Sequence, residues 1–226
     1  AKRIQAAILP SEKFIKENFK DSFILYKPKD IVAGDFYWME AIPAAVAAAG
    51  GREIQSTATA AADCSLVLLA VADCTGHGVP GAMVSVVCHN ALNRAVREYG
   101  LTDPGKILDK TRELVIAEFE KSSEDVKDGM DISFCVFNKN KNELFWAGAN
   151  NPLWIVKKQS APDDPSCLQE IKPDKQPIGY YVNQKKFTLH EFAIKEGDTI
   201  YTFTDGFADQ FGGPKGKKFK YSSLER

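Results

Sequence analysis

SLVLLAVADCTGHG, residues 65–78, decides the fold. Its first eight residues, Ser65–Ala72, form a continuous apolar run of strand length, which predicts a buried strand. The run ends in the turn-rich Asp73-Cys74-Thr75-Gly76-His77-Gly78. A helical period then takes over at Val79–Tyr99, with Met83, Val87, Ala91, Val96 and Tyr99 on its apolar face and Gly100 closing it. A second helix is predicted from Pro104 to about Glu120, with Asp103 as N-cap and Ile107, Leu108, Leu114, Val115 and Phe119 inward.

Beyond residue 131 the period changes to two. Ile132–Phe137, Glu143–Ala147 and Leu153–Val156 read as short strands, followed by Leu168–Ile171, Lys186–Phe192 and Thr199–Thr204. Residues 158–166 read as a polar loop and 212–218 as a flexible one. Upstream, residues 1–9 place Ile4, Ile8 and Leu9 on one side of a short helix ended by Pro10. A second amphipathic piece carries Phe14, Ile15 and Phe19. Ser22–Tyr26 and Ile31–Met39 read as strands, and Gly34 in the latter signals a bend or a close backbone approach. The Ala-rich residues 41–62 read as a long, partly mobile hairpin loop. Strands, two consecutive helices, then strands is not the alternation of a doubly wound sheet. It predicts an α+β fold, an antiparallel β-sandwich of two face-to-face sheets flanked by helices.

The chain has 226 residues, 44% hydrophobic and 26% charged, enough for one sizeable domain with its own core. Its net charge of −1 argues against a general nucleic-acid binder. The basic cluster Lys215, Lys217, Lys218 and Lys220 reads as a solvated loop. The five cysteines have no zinc spacing, which suits reduced thiols in a cytoplasmic protein. No apolar run reaches the roughly 20 residues that span a bilayer.

Three aspartates sit where a strand hands over to a turn: Asp35, Asp73 and Asp205. A carboxylate at the end of a buried strand is costly unless paired or bound to a cation, and few Lys or Arg residues lie beside any of them. Convergence on hard divalent cations is one resolution; ordinary Asp-Gly turns and caps are the other. His77 could act as an acid or orient its loop, whose glycines and following helix N-terminus suit an anion. His89 and His190 read as structural, and Trp38, Trp146 and Trp154 as core. No nucleophile elbow, P-loop, HExxH or dinucleotide fingerprint is present, and Ser85 and Thr75 lack an adjacent base.

Taken together, IQAAILP at 4–10, KPKDIVAGDFYW at 27–38, VADCTGHGVPGAM at 71–83, AGANNPLWIV at 147–156, DKQPIG at 174–179 and YTFTDGFADQFG at 201–212 resemble the SpoIIE-type (RsbU-like) domains of the metal-dependent PPM serine/threonine protein phosphatases. The resemblance implies an αββα sandwich and two Mn²⁺ or Mg²⁺ ions, held by Asp35, Asp73, the Cys74 backbone carbonyl and Asp205. The ions would lower the pKa of a bridging water that attacks phosphate in line, without a covalent phosphoenzyme. Asp209 and Asp131 are further candidates near the metals, and Gly76, His77 and Gly78 form the loop that would face phosphate.

The resemblance divides the chain into a regulatory helix at 1–20 and a phosphatase domain at 21–226. The family usually continues to a last strand with another aspartate pair. The stop at Arg226 therefore implies a missing C-terminal strand, weak metal binding and poor activity. Implied partners are a phosphorylated bacterial signalling protein of the anti-sigma-factor-antagonist kind, an upstream sensor or repeat domain, and a second copy through the leading helix. No nucleic acid and no membrane insertion are expected. The competing reading is a catalytically inactive module that binds a phosphoprotein. A two-metal nuclease or phosphodiesterase is a third, disfavoured by the near-neutral charge and the motifs.

Overall fold

The computed structural model describes residues 2–43, 64–121, 127–158, 167–214 and 216–224. The apolar run becomes β2 (Cys64–Cys74), the longest strand of a five-stranded antiparallel sheet. Its partners are β1 (Phe36–Pro43), β3 (Met130–Asn138), β4 (Glu143–Ala149) and β7 (His190–Ala193), in the order β1-β2-β3-β4-β7. A second sheet, β6-β5-β8, is built from β5 (Leu153–Val156), β6 (Leu168–Ile171) and β8 (Thr199–Thr202).

Side-chain alternation divides the residues of β1–β4 between two cores. On one face Phe36, Trp38, Leu68, Ala70, Ile132, Phe134 and Ala147 pack against α3 (Gly78–Arg97) and α4 (Pro104–Phe119) through Cys88, Leu92, Val96, Ile107 and Val115. On the other face Cys135, Leu144 and Trp146 meet Leu153, Ile155 and Ile171 of the second sheet. The predicted antiparallel α+β sandwich is therefore the observed fold. The fully buried Trp146 donates its indole N–H to Ser133 Oγ at 2.8 Å.

Most predicted elements stand, with informative departures. Asp103 caps α4 as expected, accepting from Lys106 N at 3.0 Å. Residues 22–28 form no strand, and β1 begins at Phe36 rather than Ile31, which is 75% exposed. Aromatic and β-branched content marked 22–26 and 31–35 as strand, with a turn at 27–30, but neither piece has ladder partners among the described residues. Met83 and Tyr99 are exposed, because the inward positions of α3 fall to Val84, Ser85, Cys88, Leu92 and Val96. Lys186–Phe192 shortens to β7, and Thr199–Thr204 to β8. The segment read as a loop at 212–218 instead holds a two-stranded ladder, β9 (Phe211–Gly212) and β10 (Lys217–Lys218).

In α1 (Lys2–Ile8) the buried side chain is Gln5, while Ile4 is 66% exposed. The Gln5 amide accepts from Ala33 N at 3.1 Å and donates to Ala33 O and Ser85 Oγ. An amphipathic reading favours isoleucine inward; two unpaired backbone groups at Ala33 favour the amide. α2 (Glu12–Asn18) lays Phe14 and Ile15 on Met39 and Val67. A short α5 (Tyr221–Leu224) follows the ladder. Residues 44–62 of the Ala-rich stretch and 159–166 of the polar loop lie outside the described residues.

Candidate metal centre

Strand parity builds the site. In β2 the residues at 66, 68, 70 and 72 face the helices, so Asp73 faces the second sheet. Phe36 pairs with Ala72 and faces the helices, so Asp35 projects to the same side as Asp73. Asp73 lies opposite Asp131 in the β2–β3 register, placing a fourth carboxylate on that face. The chain leaving β8 brings Asp205 in from the second sheet.

The side chains meet. Asp73 is hydrogen-bonded to both Asp35 and Asp205. Its pKa is raised well above the carboxylate range, by burial first, then by the bond to Asp35 and the charges of Asp35 and Asp205. Asp205 is also raised, by burial first and by Asp209 and Asp35, against the opposing bond from Asp73 and the charge of Lys218. Asp131 is raised by burial and by Asp205, opposed by the amide of Asn150, which donates at 2.8 Å, and by Lys175. Thr204 Oγ1 donates to Asp35 Oδ2 at 3.2 Å, and Tyr26 OH donates to the Asp35 carbonyl at 3.2 Å.

Close backbone packing sets these positions. A Cβ on Gly34 would lie 2.7 Å from Cys74 O and 2.9 Å from Gly76 O; one on Gly81 would lie 2.5 Å from Gly76 O. The close approach expected at Gly34 is therefore real. It sets the Asp35 turn directly on the loop after β2.

The remaining candidates divide. Asp209 closes one turn onto Asp205, its N–H donating to Asp205 O at 2.8 Å, and pairs with Lys218 at 2.6 Å. Gly76 and Gly78 have positive φ, 82° and 60°, which glycine permits. His77 points outward, 91% exposed, 3.8 Å from Asp30. The Cys74 thiol is buried against Cys88 and has its pKa raised by that bond and by burial, so only its backbone faces the Asp35 turn. Sequence reasoning missed Asn150, Thr204 and Tyr26. Thr204 and Asn150 lie inside quoted motifs, yet nothing local marks a hydroxyl or amide as an aspartate's partner.

Among the described residues the donor set is all hard oxygen. That chemistry fits a hard divalent cation. Among the described residues, no group of three or more His, Cys, Asp or Glu side chains is already spread around a common point.

The sequence profile of the Stage II sporulation protein E (SpoIIE) family matches residues 65–225. No curated protein matches the chain. Among solved structures, the SiaA-PP2C domain of Pseudomonas aeruginosa is similar at 28% identity and a TM-score of 0.75, covering 99% of this chain and 76% of that one. The PP2C phosphatase domain and regulatory fragment of the cell fate determinant SpoIIE from Bacillus subtilis shares the fold at 14% identity and a TM-score of 0.59, covering 86% of this chain and 47% of that one. RsbX, solved in complex with magnesium, shares it at 16% identity and a TM-score of 0.52, covering 90% and 80%. With the profile spanning most of the chain, the protein belongs to the SpoIIE family and is a PP2C-type serine/threonine phosphatase domain, a hydrolase.

Proposed function

We propose that the domain removes phosphate from serine or threonine on a regulatory phosphoprotein, using two divalent cations, Mn²⁺ or Mg²⁺, held by Asp35, Asp73, the Cys74 carbonyl and Asp205. The observation that carries this is the convergence of three strand-end carboxylates, Asp73 meeting both Asp35 and Asp205 with its pKa pushed up by burial and by those two neighbours. Asp35, Asp73 and Asp205 would hold the cations, whose charge would offset the repulsion among these carboxylates. When bound, the ions supply a water of lowered pKa and offset charge on the phosphoryl oxygens. RsbX in complex with magnesium supports a hard-cation site in this fold.

The chain's own residues do the rest. Thr204 and Tyr26 fix the Asp35 carboxyl and carbonyl, and Asn150 fixes Asp131 beside the group. Asp131 and Asp209 orient and balance rather than form the core of the site. Gly76, His77 and Gly78 bring the N-terminal end of α3 toward an incoming anion. The substrate belongs to the anti-sigma-factor-antagonist class, and α1, bonded to Ala33 beside Asp35, couples the site to upstream domains or a second copy. No helix among the described residues is long and apolar enough to cross a membrane; the reading places the domain in the cytoplasm.

The test is calorimetric titration of Mn²⁺ into the chain and into its Asp35→Ala and Asp205→Ala variants, with phosphoserine-peptide hydrolysis as second readout. We expect saturable Mn²⁺ binding and ion-dependent turnover, each lowered at least about a hundredfold by either variant. Turnover independent of the cation, or variants equal to the parent, refutes the reading. Phosphopeptide binding without turnover by parent and variants alike selects the binding-module reading instead.

A further inference from the structure

Side-chain alternation divides the ladder of β9 and β10 into two unlike faces. Phe211 stands opposite Lys218, and Gly212 opposite Lys217. On the first face Lys218 is spent on Asp209, 2.6 Å away. On the second, Lys217 has no ion-pair partner among the described residues, and a Cβ on Gly212 opposite would meet nothing within 4 Å. Phe219, whose N–H donates to Gln210 O at 2.8 Å, continues this second face. Its ring packs edge-on to Phe207 at 5.4 Å, yet the two rings stay 40% and 46% exposed. We infer that this face, formed by Phe207, Lys217 and Phe219 with Lys220 at its foot, docks an acidic segment flanking the phosphorylated residue of the substrate protein. The inference rests on the phosphatase reading above and adds to it how a partner is selected.

Charge selects the occupant. Lys220 is also without an ion-pair partner among the described residues. Its backbone is left-handed, with φ 70°, a conformation that glycine would adopt at lower cost. A lysine is thus kept where the backbone does not favour a side chain. Exposed aromatic rings beside unpaired ammonium groups suit an acidic peptide, which meets the charge and covers the rings. An anionic lipid surface is read by clusters of about four to eight basic residues, more than the two unpaired lysines of this face. The chain's net charge of −1 disfavours nucleic acid.

Position ties the face to the carboxylates. The chain enters the ladder from Asp205, and Asp209 N donates back to Asp205 O at 2.8 Å. The returning strand closes on the same segment. Lys220 N donates to Ala208 O at 2.7 Å, and the Tyr221 ring stands 6.0 Å from that of Phe203, two residues before Asp205. Both ends of the ladder are therefore braced against the segment that carries Asp205. A phosphorylated residue delivered to the carboxylates brings its neighbours in the chain to a face shaped in advance.

The test is steady-state hydrolysis, with Mn²⁺, of two fluorescein-labelled phosphoserine peptides of equal length. One has Asp and Glu flanking the phosphoserine, the other Ser and Gln. The enzymes are the parent, Lys217→Glu/Lys220→Glu, Lys217→Arg/Lys220→Arg and Lys141→Glu. Lys141 is exposed in the turn after β3, at the opposite end of the sheet from Asp73, so it reverses a charge away from the face. In the parent we expect KM for the acidic peptide about fivefold below that for the neutral one, as two exposed ion pairs allow. The gap should close with NaCl. K217E/K220E should abolish or reverse it, with kcat and the neutral-peptide KM within about twofold of the parent. K217R/K220R and K141E should keep it. A thermal melt checks folding, and if the double reversal melts early, Lys217→Gln/Lys220→Gln should abolish the gap in its place. No preference in the parent, a preference that survives K217E/K220E, or a loss matched by K141E overturns the inference and leaves the phosphatase reading intact. If the parent hydrolyses neither peptide, that reading fails separately. Fluorescence polarisation then decides: tighter binding of the acidic peptide by the parent than by K217E/K220E sustains the docking face, and equal binding overturns it. Sedimentation with vesicles of equal parts phosphatidylcholine and phosphatidylserine tests the lipid alternative. Binding lost in K217E/K220E, without a peptide preference in the parent, overturns the inference in favour of a membrane surface.

Discussion

Gly34→Ala tests how the Asp35 turn is set onto the loop after β2. The new Cβ would stand 2.7 Å from Cys74 O and 2.9 Å from Gly76 O. Carbon-to-oxygen contacts in proteins settle at about 3.3–3.6 Å, so one backbone must retreat by roughly half an ångström. Neither carbonyl is a flexible side-chain end; both belong to the loop that continues from Asp73. Overpacking of this kind costs about 1–3 kcal/mol. For a chain of this length the melting entropy is about 0.5 kcal/mol per kelvin, so the melting temperature should fall by about 2–6 °C. Functional constellations tolerate about 0.5 Å of displacement, so opening the Asp35–Asp73 spacing should weaken Mn²⁺ binding by about tenfold. The assay is a calorimetric melt with and without MnCl₂, followed by Mn²⁺ titration. Gly212→Ala is the control, since a Cβ there meets nothing within 4 Å. A Gly34→Ala protein that melts with the Gly212→Ala control and binds Mn²⁺ as tightly would refute the reasoning.

The His89 ring, packed edge-on to Phe36 at 5.9 Å and hydrogen-bonded to the Ile8 carbonyl, has its pKa lowered by burial first and by Arg97, against that bond. Below about pH 6.5 the unfolded chain therefore takes up a proton that the folded chain resists, so stability falls as pH falls. His89→Leu should flatten the difference in urea midpoint between about pH 5.5 and 7.5, and an unchanged difference would count against burial as the cause. Ser133→Ala strands the Trp146 indole N–H in a fully buried site and should cost about 1–3 kcal/mol, read as a lower melting temperature; an unchanged melt would show that the N–H finds another acceptor.

Strand periodicity at 65–72 and 131–156, the helix pair with its Asp103 cap and the motif strings were legible along the chain, because each depends on neighbours within a few residues. They were enough to imply the sandwich and to single out Asp35, Asp73 and Asp205. Local pattern misled where an element's environment is set from a distance. Ser22–Tyr26 has strand composition but no partner strand, and Ile4 lost the inward position to Gln5, whose amide answers the backbone of Ala33. The segment at 212–218 forms a ladder that glycine and lysine content did not advertise.

The amino-acid order by itself determined which residues alternate, and hence that Asp73 must leave the helix-facing side of β2. Only the tertiary structure decided that Asp35, Asp131 and Asp205 come to that same side. It also decided that Thr204 and Tyr26 bond to Asp35 and that Asn150 bonds to Asp131. The reason is physical: parity is a property of one strand, whereas the encounter of carboxylates more than a hundred residues apart depends on how two sheets pack and on where backbone can approach backbone.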